Sequence, residues 1–470
     1  MRAIRESVAL AAVVACTALV PGTAHAQATS APDDVVARPG QESGRIDDVE
    51  DEDSAARQVG RGVLWVPRAA FGVAMVPVRG TVYLADRYRL GDRARRWFFN
   101  DEGTFGVFPV VGWDSGFGPN GGLKLVARDL FGHEEQAEAK GVIGWSSRAT
   151  ALGRFSTGEL LGERTTLGFE ALFDRNPAQR FFGFGNGDEI DPRDDELINP
   201  NVDNRAVETR FRQRQAQLAA VLDVRPFDGF HIRPGARIAD VRVSNDIASG
   251  LSEPAIDRVY DVMTITGFPE YKIGYGELEL RLDTRRSWDD YESLAMPSQG
   301  WLVSAFAGRA AVDVGDDFWR LGFDVHRLFH LGTGPRSLAL RLHGEGVTGD
   351  RMDTPFTELP SLGGPFMLRG YDLDRFRDRI AAVASAEYAW DLAEAVAASL
   401  FVDAGRVFPA LDEITLDNTR VGFGVGIQAH TAHVLLTRAQ LASSIDGGVF
   451  LNLSFEPAFE PPPRVTRRNR

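Results

Sequence analysis

Between residues 104 and 459 the sequence holds a series of segments in which apolar and polar side chains alternate, and nowhere does it offer an apolar run long enough to cross a bilayer as a helix. The nearest approach, 62–77, is interrupted by Pro67, Arg68 and Pro77. A period of two sets successive side chains on opposite faces of a strand. The sequence is therefore bound to sheets with one greasy and one polar face. Alternating segments fall at roughly 104–113, 120–131, 136–147, 150–158, 164–174, 206–226, 229–244, 270–284, 298–311, 316–329, 335–347, 377–391, 395–408, 418–431, 433–443 and 448–459. Sixteen is an even number, as a closed up-and-down antiparallel sheet requires.

Two further patterns point to a transmembrane barrel. The longest connections, near 175–205, 245–269 and 348–376, all follow odd-numbered segments, whereas even-to-odd connections stay short apart from 285–297. With the amino terminus in the periplasm, this gives long outside loops and short inside turns. The phase of alternation then assigns the faces. Val449, Leu451 and Leu453 share one side with Phe455 and Phe459; Val421, Phe423, Val425 and Ile427 alternate with glycines. Leu338, Leu340 and Leu342 alternate with Ala339, Arg341 and His343, and Leu278, Leu280 and Leu282 with Glu277, Glu279, Arg281 and Asp283. An arginine on the lipid face costs ~2–4 kcal/mol at mid-membrane, so these phases are firmly set. A soluble sandwich could use the same phases, but it would leave long unpaired edges and lacks a second layer to cover the sheet. Tyr388, Trp390, Phe450, Phe455 and Phe459 lie near segment ends, where an aromatic girdle belongs. Composition agrees: 49 glycines, 30 phenylalanines and 25% charged residues.

Leu368-Arg369-Gly370-Tyr371 lies in the last long connection, and Phe401, Asp403 and Gly405 share a face of a later strand. Between them Val383, Ser385 and Glu387 share one face of a strand, and Ala384, Ala386, Tyr388 and Trp390 the other. The Arg-Gly pair can fold inward and set its guanidinium against Asp403, with the glycine turning where a Cβ would clash. If the Tyr388 face meets lipid, Glu387 joins the same cluster. An Arg-Gly-aromatic loop followed by Phe-x-Asp-x-Gly resembles the bacterial surface-antigen outer-membrane barrels, the BamA/TamA superfamily. The resemblance covers essentially all of 104–459 and is strongest over 360–459. It implies an all-β, sixteen-stranded antiparallel transmembrane β-barrel. Such a barrel inserts or translocates proteins, or moves lipids, through a lateral gate between its first and last strands. Those are 104–113, weakened by Gly103, Gly106 and Gly112, and 448–459. The 348–376 loop is then expected to plug a wet lumen through Arg369. Phe182-Gly183-Phe184-Gly185-Asn186-Gly187 resembles the glycine-rich aromatic turn of the family's third external loop, or is a flexible loop.

The flanks depart from the family. Residues 1–26 read as a signal peptide: a basic start, an apolar core containing Cys16, and Ala24-His25-Ala26 before the cut. Cleavage there leaves no thiol, hence no disulfide and no Cys-bound metal. Residues 27–56 end in a run of carboxylates without the spacing of a calcium loop and are expected to be disordered. Residues 57–101 are expected to be a short, partly helical periplasmic segment with Arg87, Arg89, Arg93, Arg95 and Arg96. The family's βααββ periplasmic domains do not fit in it, which leaves partner binding through 57–101 open. The barrel is placed at 102–459, and 460–470 form a tail beyond the usual final aromatic.

No enzymatic constellation is found. Gly344-Glu345-Gly346-Val347-Thr348-Gly349 matches a dinucleotide-binding pattern but closes a strand instead of opening a helix. Asp324, His326 and His330 share a face but have no fourth ligand nearby, so they read as polar lumen residues. There is no Gly-x-Ser-x-Gly elbow. The expectation is no catalysis, no cofactor and no metal. A net charge of −14 argues against nucleic acid. Expected partners are outer-membrane lipid, a client outer-membrane or secreted protein and a periplasmic partner. The rival readings are a passive pore, detectable by conductance without client, a structural subunit of a periplasm-spanning complex, detectable by crosslinking, and a membrane-embedded hydrolase, detectable by a lipid activity screen.

Overall fold

The structure, a computed structural model, describes residues 98–100, 102–114, 118–129, 131–144, 148–186, 207–287, 297–332, 336–393, 396–430, 435–454 and 465. The expectations for 1–26, 27–56, nearly all of 57–101 and all of 460–470 except Val465 lie outside these residues.

One antiparallel sheet of sixteen strands runs in sequence order. Its members are β1 (Phe105–Asp114), β2 (Gly118–Arg128), β3 (Gln136–Gly144), β4 (Ala149–Ser156), β5 (Thr165–Phe181), β6 (Thr209–Phe227), β7 (Phe230–Ser244) and β8 (Glu270–Asp283). The other half comprises β9 (Gly300–Val312), β10 (Phe318–His330), β11 (Arg336–Val347), β12 (Ile380–Ala393), β13 (Val396–Phe408), β14 (Arg420–His430), β15 (Leu435–Ser444) and β16 (Val449–Ser454). Every consecutive pair is hydrogen-bonded. Among the described residues no ladder joins β1 to β16. Helix within this sheet unit is confined, among the described residues, to three single 3-10 turns.

Burial is inverted relative to a soluble protein. Leu451 is 66% exposed and Leu123 59%, whereas Arg341 is 4% and Asp324 0% exposed. The apolar face points away from the protein and the charged face is the buried one, as the alternation requires in a lipid setting. The inward set includes Glu277 and Glu279 on β8, Arg341 and His343 on β11, and Ser385 and Glu387 on β12. Phe450 departs from expectation. It pairs with the buried Ala442 and so belongs to the inward face; parity excludes it from a lipid-facing girdle. Phe455 and Phe459 lie outside the described residues. Tyr388 and Trp390 stack on each other outside, with ring centroids 5.4 Å apart.

One strand next to a long loop outruns its expected end. β5 continues past Asn176 to Phe181 across a register shift between Asn176 and Gln179. Pro177 cannot donate a ladder hydrogen bond, and Asn176 caps the irregularity by accepting from the Ala178 N–H at 3.0 Å. The extension is anchored by an apolar core that alternation could not reveal. Phe181 and Phe211 both pack edge-on against Phe356 of the 348–379 connection, at 5.3 Å. Tyr260 and Ile256 of the β7–β8 connection join them. The connections thus fold over the inner face instead of standing free.

Candidate functional site

The connection between β11 and β12 enters the inward side and is held there by Arg369. Leu368 (φ +58°) and Gly370 (φ +96°) both take left-handed backbone conformations around it. For Gly370 a Cβ would overlap the Ser443 carbonyl on β15, and for Gly422 on β14 a Cβ would overlap the carbonyl of Arg369. Glycine at both positions lets the loop backbone lie directly on the wall.

The guanidinium is fully engaged. Its Nε donates to Asp403 Oδ2 and its Nη2 to Asp403 Oδ1, both at 2.7 Å, a bidentate fork. Its Nη1 donates to Glu387 Oε2 at 2.7 Å, and its own backbone N–H donates to Asp403 Oδ2 at 2.8 Å. The Phe401 ring lies 3.7 Å from Arg369 Cζ, adding a stacked cation–π contact. A Cβ on Gly405 would press on Leu362 of the loop and on the Ala382 carbonyl. The three inward residues of the Phe-x-Asp-x-Gly strand therefore stack, chelate and make room, in that order. Leu368, Leu362, Phe376 and Val383 form the apolar cluster beside the fork. The Tyr371 hydroxyl donates to Asp446 Oδ2 at 2.9 Å.

One guanidinium against two carboxylates would leave a buried charge unbalanced. The fourth member is Arg438 on β15, whose Nη2 donates to Glu387 Oε2. Arg369, Arg438, Asp403 and Glu387 make a neutral quartet, each 5% exposed or less. Arg438 was missed in the sequence, although the count of charges calls for it. All four members are buried in the protein, and the apolar cluster of Leu362, Leu368 and Phe376 belongs to the same loop.

A second anchor had no signature at all. Glu358, in the 3-10 turn Phe356–Glu358, accepts from Arg237 Nη2 of β7 at 2.6 Å and from Arg320 Nη2 of β10 at 3.3 Å. Tyr271 of β8 donates to its other carboxylate oxygen at 3.2 Å. Arg320 also pairs with Glu345. A third contact runs from β11: Arg341 clasps Asp324 with Nε at 3.0 Å and Nη2 at 2.6 Å, and its Nη1 reaches the Phe366 carbonyl at 3.1 Å.

Asp324 also meets His326 Nε2 at 2.5 Å and His343 Nδ1 at 3.2 Å, while His330 turns to the Gly332 carbonyl. Asp324 and His326 thus come together without His330. Among the described residues no group of three such side chains is placed to hold a metal ion. Gly344 and Gly346 lie within β11, where no helix follows to hold a phosphate. The turn at Phe182–Asn186 clasps the same loop: Gly185 bridges to Arg377, Arg375 lies 4.9 Å over Phe182, and the Asn186 amide brackets Val407 of β13 through both its oxygen and its nitrogen.

This architecture, with the inward Arg-Gly-Tyr loop on its carboxylate strand pair, coincides with a sequence match: residues 257–447 fit the Omp85 superfamily domain. The chain carries an Omp85 superfamily domain. The match runs from the β7–β8 connection to the turn after β15 and includes every member of the quartet. The match locates the protein in the bacterial outer membrane. Among solved structures, BamA from Haemophilus ducreyi lacking POTRA domains 1-3 is similar in fold at 12% identity and a TM-score of 0.52, covering 74% of this chain and 69% of that one. CdiB from Acinetobacter baumannii matches at 12% identity and 0.44, covering 73% and 57%, and CdiB from Escherichia coli at 11% and 0.46, covering 74% and 61%. No curated protein matches this chain by sequence at a significant level.

Proposed function

We propose that the protein handles polypeptide clients at the outer membrane, inserting or translocating them through a seam between β1 and β16 that closes the barrel. The loop 348–379 is its fixed stopper. The observation that carries this reading is the buried, charge-balanced quartet around Arg369. A loop tied to β13 by a bidentate fork and to β12 through Glu387 is part of the barrel's interior, not a swinging cover. A plain pore would be served by the opposite arrangement, an open lumen. The long connections lie outside the cell and the short turns in the periplasm. A client strand would add to the free edge of β1 by backbone pairing, where Gly106, Gly112 and the donor-less Pro109 weaken the ladder. No covalent step or cofactor belongs to this reading. Residues 57–101 are the place for a periplasmic partner, which site-specific crosslinking there would capture.

The test of the stopper uses full-length protein in lipid vesicles. Arg369→Ala should open the loop to trypsin and raise the conductance of a planar bilayer. Unchanged protease resistance together with unchanged heat stability would rule the stopper out. The client reading is tested separately, by depletion followed by outer-membrane proteomics and lipid profiling. Loss of particular outer-membrane or secreted proteins supports it; a change confined to lipids replaces the protein cargo with a lipid one.

A further inference from the structure

On the lipid-facing wall, at the end that carries the short turns, two arginines stand where neither is used by the interior. Arg327 of β10 pairs in register with Trp301 of β9 and Leu340 of β11, both outward residues. Its guanidinium carbon lies 4.8 Å from the Trp301 ring centroid and 4.6 Å from that of Phe329. Two aromatic faces therefore fix the position of the cation. Arg286 continues the outward parity of Leu282 and Thr284 and is bridged to Gln299. Among the described residues neither guanidinium makes an ion pair or a hydrogen bond. Together with Thr284 and His330 they line a surface cavity of about 580 Å³.

The height of this cavity identifies what meets it. Along β10 the outward residues run from Trp319 through Leu321, Phe323 and Val325 to Arg327 and Phe329. Trp319 and Phe329 are ten residues apart, roughly 33 Å along the strand, or about 25 Å normal to the membrane at the usual tilt. That is the height of the apolar band of an outer-membrane barrel. Trp319 and the Trp301–Phe329 pair thus mark its two edges, and Arg327 sits at the lower one. Arg286 is two positions further toward the periplasm than Thr284, roughly 7 Å beyond the edge. This is the level of phospholipid phosphates in the inner leaflet.

We propose that Arg327 and Arg286 form a binding site for the phosphodiester of an anionic glycerophospholipid, its acyl chains running up the wall past Val303 and Leu340. The proposal rests on the outer-membrane orientation given above, with the short turns in the periplasm. Arginine suits the task because its planar fork matches phosphate geometry and its stem packs on the aromatics. The rim hydroxyl of Thr284 is already a partner of the β9 backbone, receiving the Trp301 N–H at 3.0 Å. Among the described lining residues, the two guanidiniums are the fixed charges that meet the anion. A snorkelling arginine would sit at the same height, but it would show no preference among headgroups.

Native mass spectrometry on the full-length protein separates these cases. The protein is placed in nanodiscs of phosphatidylcholine with a minor fraction of phosphatidylglycerol, and the lipids it retains are identified on release. Retained lipid should be enriched in phosphatidylglycerol over its fraction in the disc. The enrichment should fall by about fivefold for each arginine removed in Arg327→Gln, Arg286→Gln and the double variant. Arg309→Gln, at the opposite rim and already paired with Asp317, should leave the enrichment intact. Should the double variant fail to insert, Arg286→Gln alone and Arg327→Lys, which keeps the charge and loses the fork, carry the same comparison. Equal retention of the two lipids by the wild type, or unchanged enrichment in the variants, would overturn the site. Release of the lipid by millimolar inorganic phosphate would assign it to a soluble anion and overturn the lipid proposal too. Failure here leaves the client reading untouched, since that is read by depletion and not by retained lipid.

Discussion

Two of the anchors of the long loop between β11 and β12 are mirror images in their chemistry. At one, the loop supplies the cation: Arg369 is received by carboxylates of β12 and β13. At the other, the loop supplies the anion: Glu358 is received by arginines of β7 and β10. Each charge sits beside its own apolar cluster, Leu368 with Phe376 at the first and Phe356 with Phe181 and Phe211 at the second. The loop is therefore held to the inward face with opposite charges at these two anchors. Reversed signs also discourage it from docking in the wrong register, because swapping ends would place like charges together.

The largest effect should come from the Arg369 end. Arg369→Ala leaves Asp403 without its fork and Glu387 with Arg438 alone, in buried surroundings. A loss of ~3–5 kcal/mol in barrel stability is expected, read by urea titration in detergent. A loss under ~1 kcal/mol would mean that water enters the quartet, and the contrast with the other end would collapse. At the Glu358 end the expected loss is smaller, ~1.5–3 kcal/mol for Glu358→Gln, since an amide oxygen still accepts and Arg320 retains Glu345. If Glu358→Gln proves the costlier, the loop is held chiefly from the β7–β10 side and the ranking is reversed. Because each end has its own apolar cluster, the double variant should be additive within ~0.5 kcal/mol. A shortfall well beyond that would show the loop leaving as one piece once either end is freed.

The two ends also differ in how far sequence could reveal them. The alternation fixed the strand number and the faces, because one misplaced arginine in lipid is so costly. The Arg369 end was legible because its parts are compressed into two short motifs, with a glycine at each close approach. Glu358 sits in an unremarkable loop, and Arg237 and Arg320 look like any inward residues of an alternating strand. A two-residue rhythm gives the face of a side chain but neither its height nor which distant strand stands opposite. The same limit hid Arg438, although the imbalance of one cation against Asp403 and Glu387 was there to be counted. The extension of β5 to Phe181 was hidden for another reason: it is driven by packing against Phe356, 175 positions later in the chain, and not by lipid.

The smallest effect distinguishes the parts of one residue at the Arg369 end. The Tyr371 ring is buried and meets Phe376 edge-on at 5.1 Å, while its hydroxyl reaches the exposed rim at Asp446, where Arg420 also binds. Burial, with the neighbouring Asp446 acting in the same direction, pushes the phenol well above its ordinary range, so the group stays protonated and donates at every physiological pH. Tyr371→Phe removes one hydrogen bond to a carboxylate that keeps Arg420, so a loss of only ~0.5–1 kcal/mol is expected, independent of pH between 6 and 9. Tyr371→Ala removes the ring from a packed cluster and should cost ~3–5 kcal/mol. The ratio of the two losses is the sharper measurement. If phenylalanine costs as much as alanine, the rim hydrogen bond and not the ring holds this side of the loop. The Arg369 end would then be polar throughout, unlike the aromatic packing around Phe356.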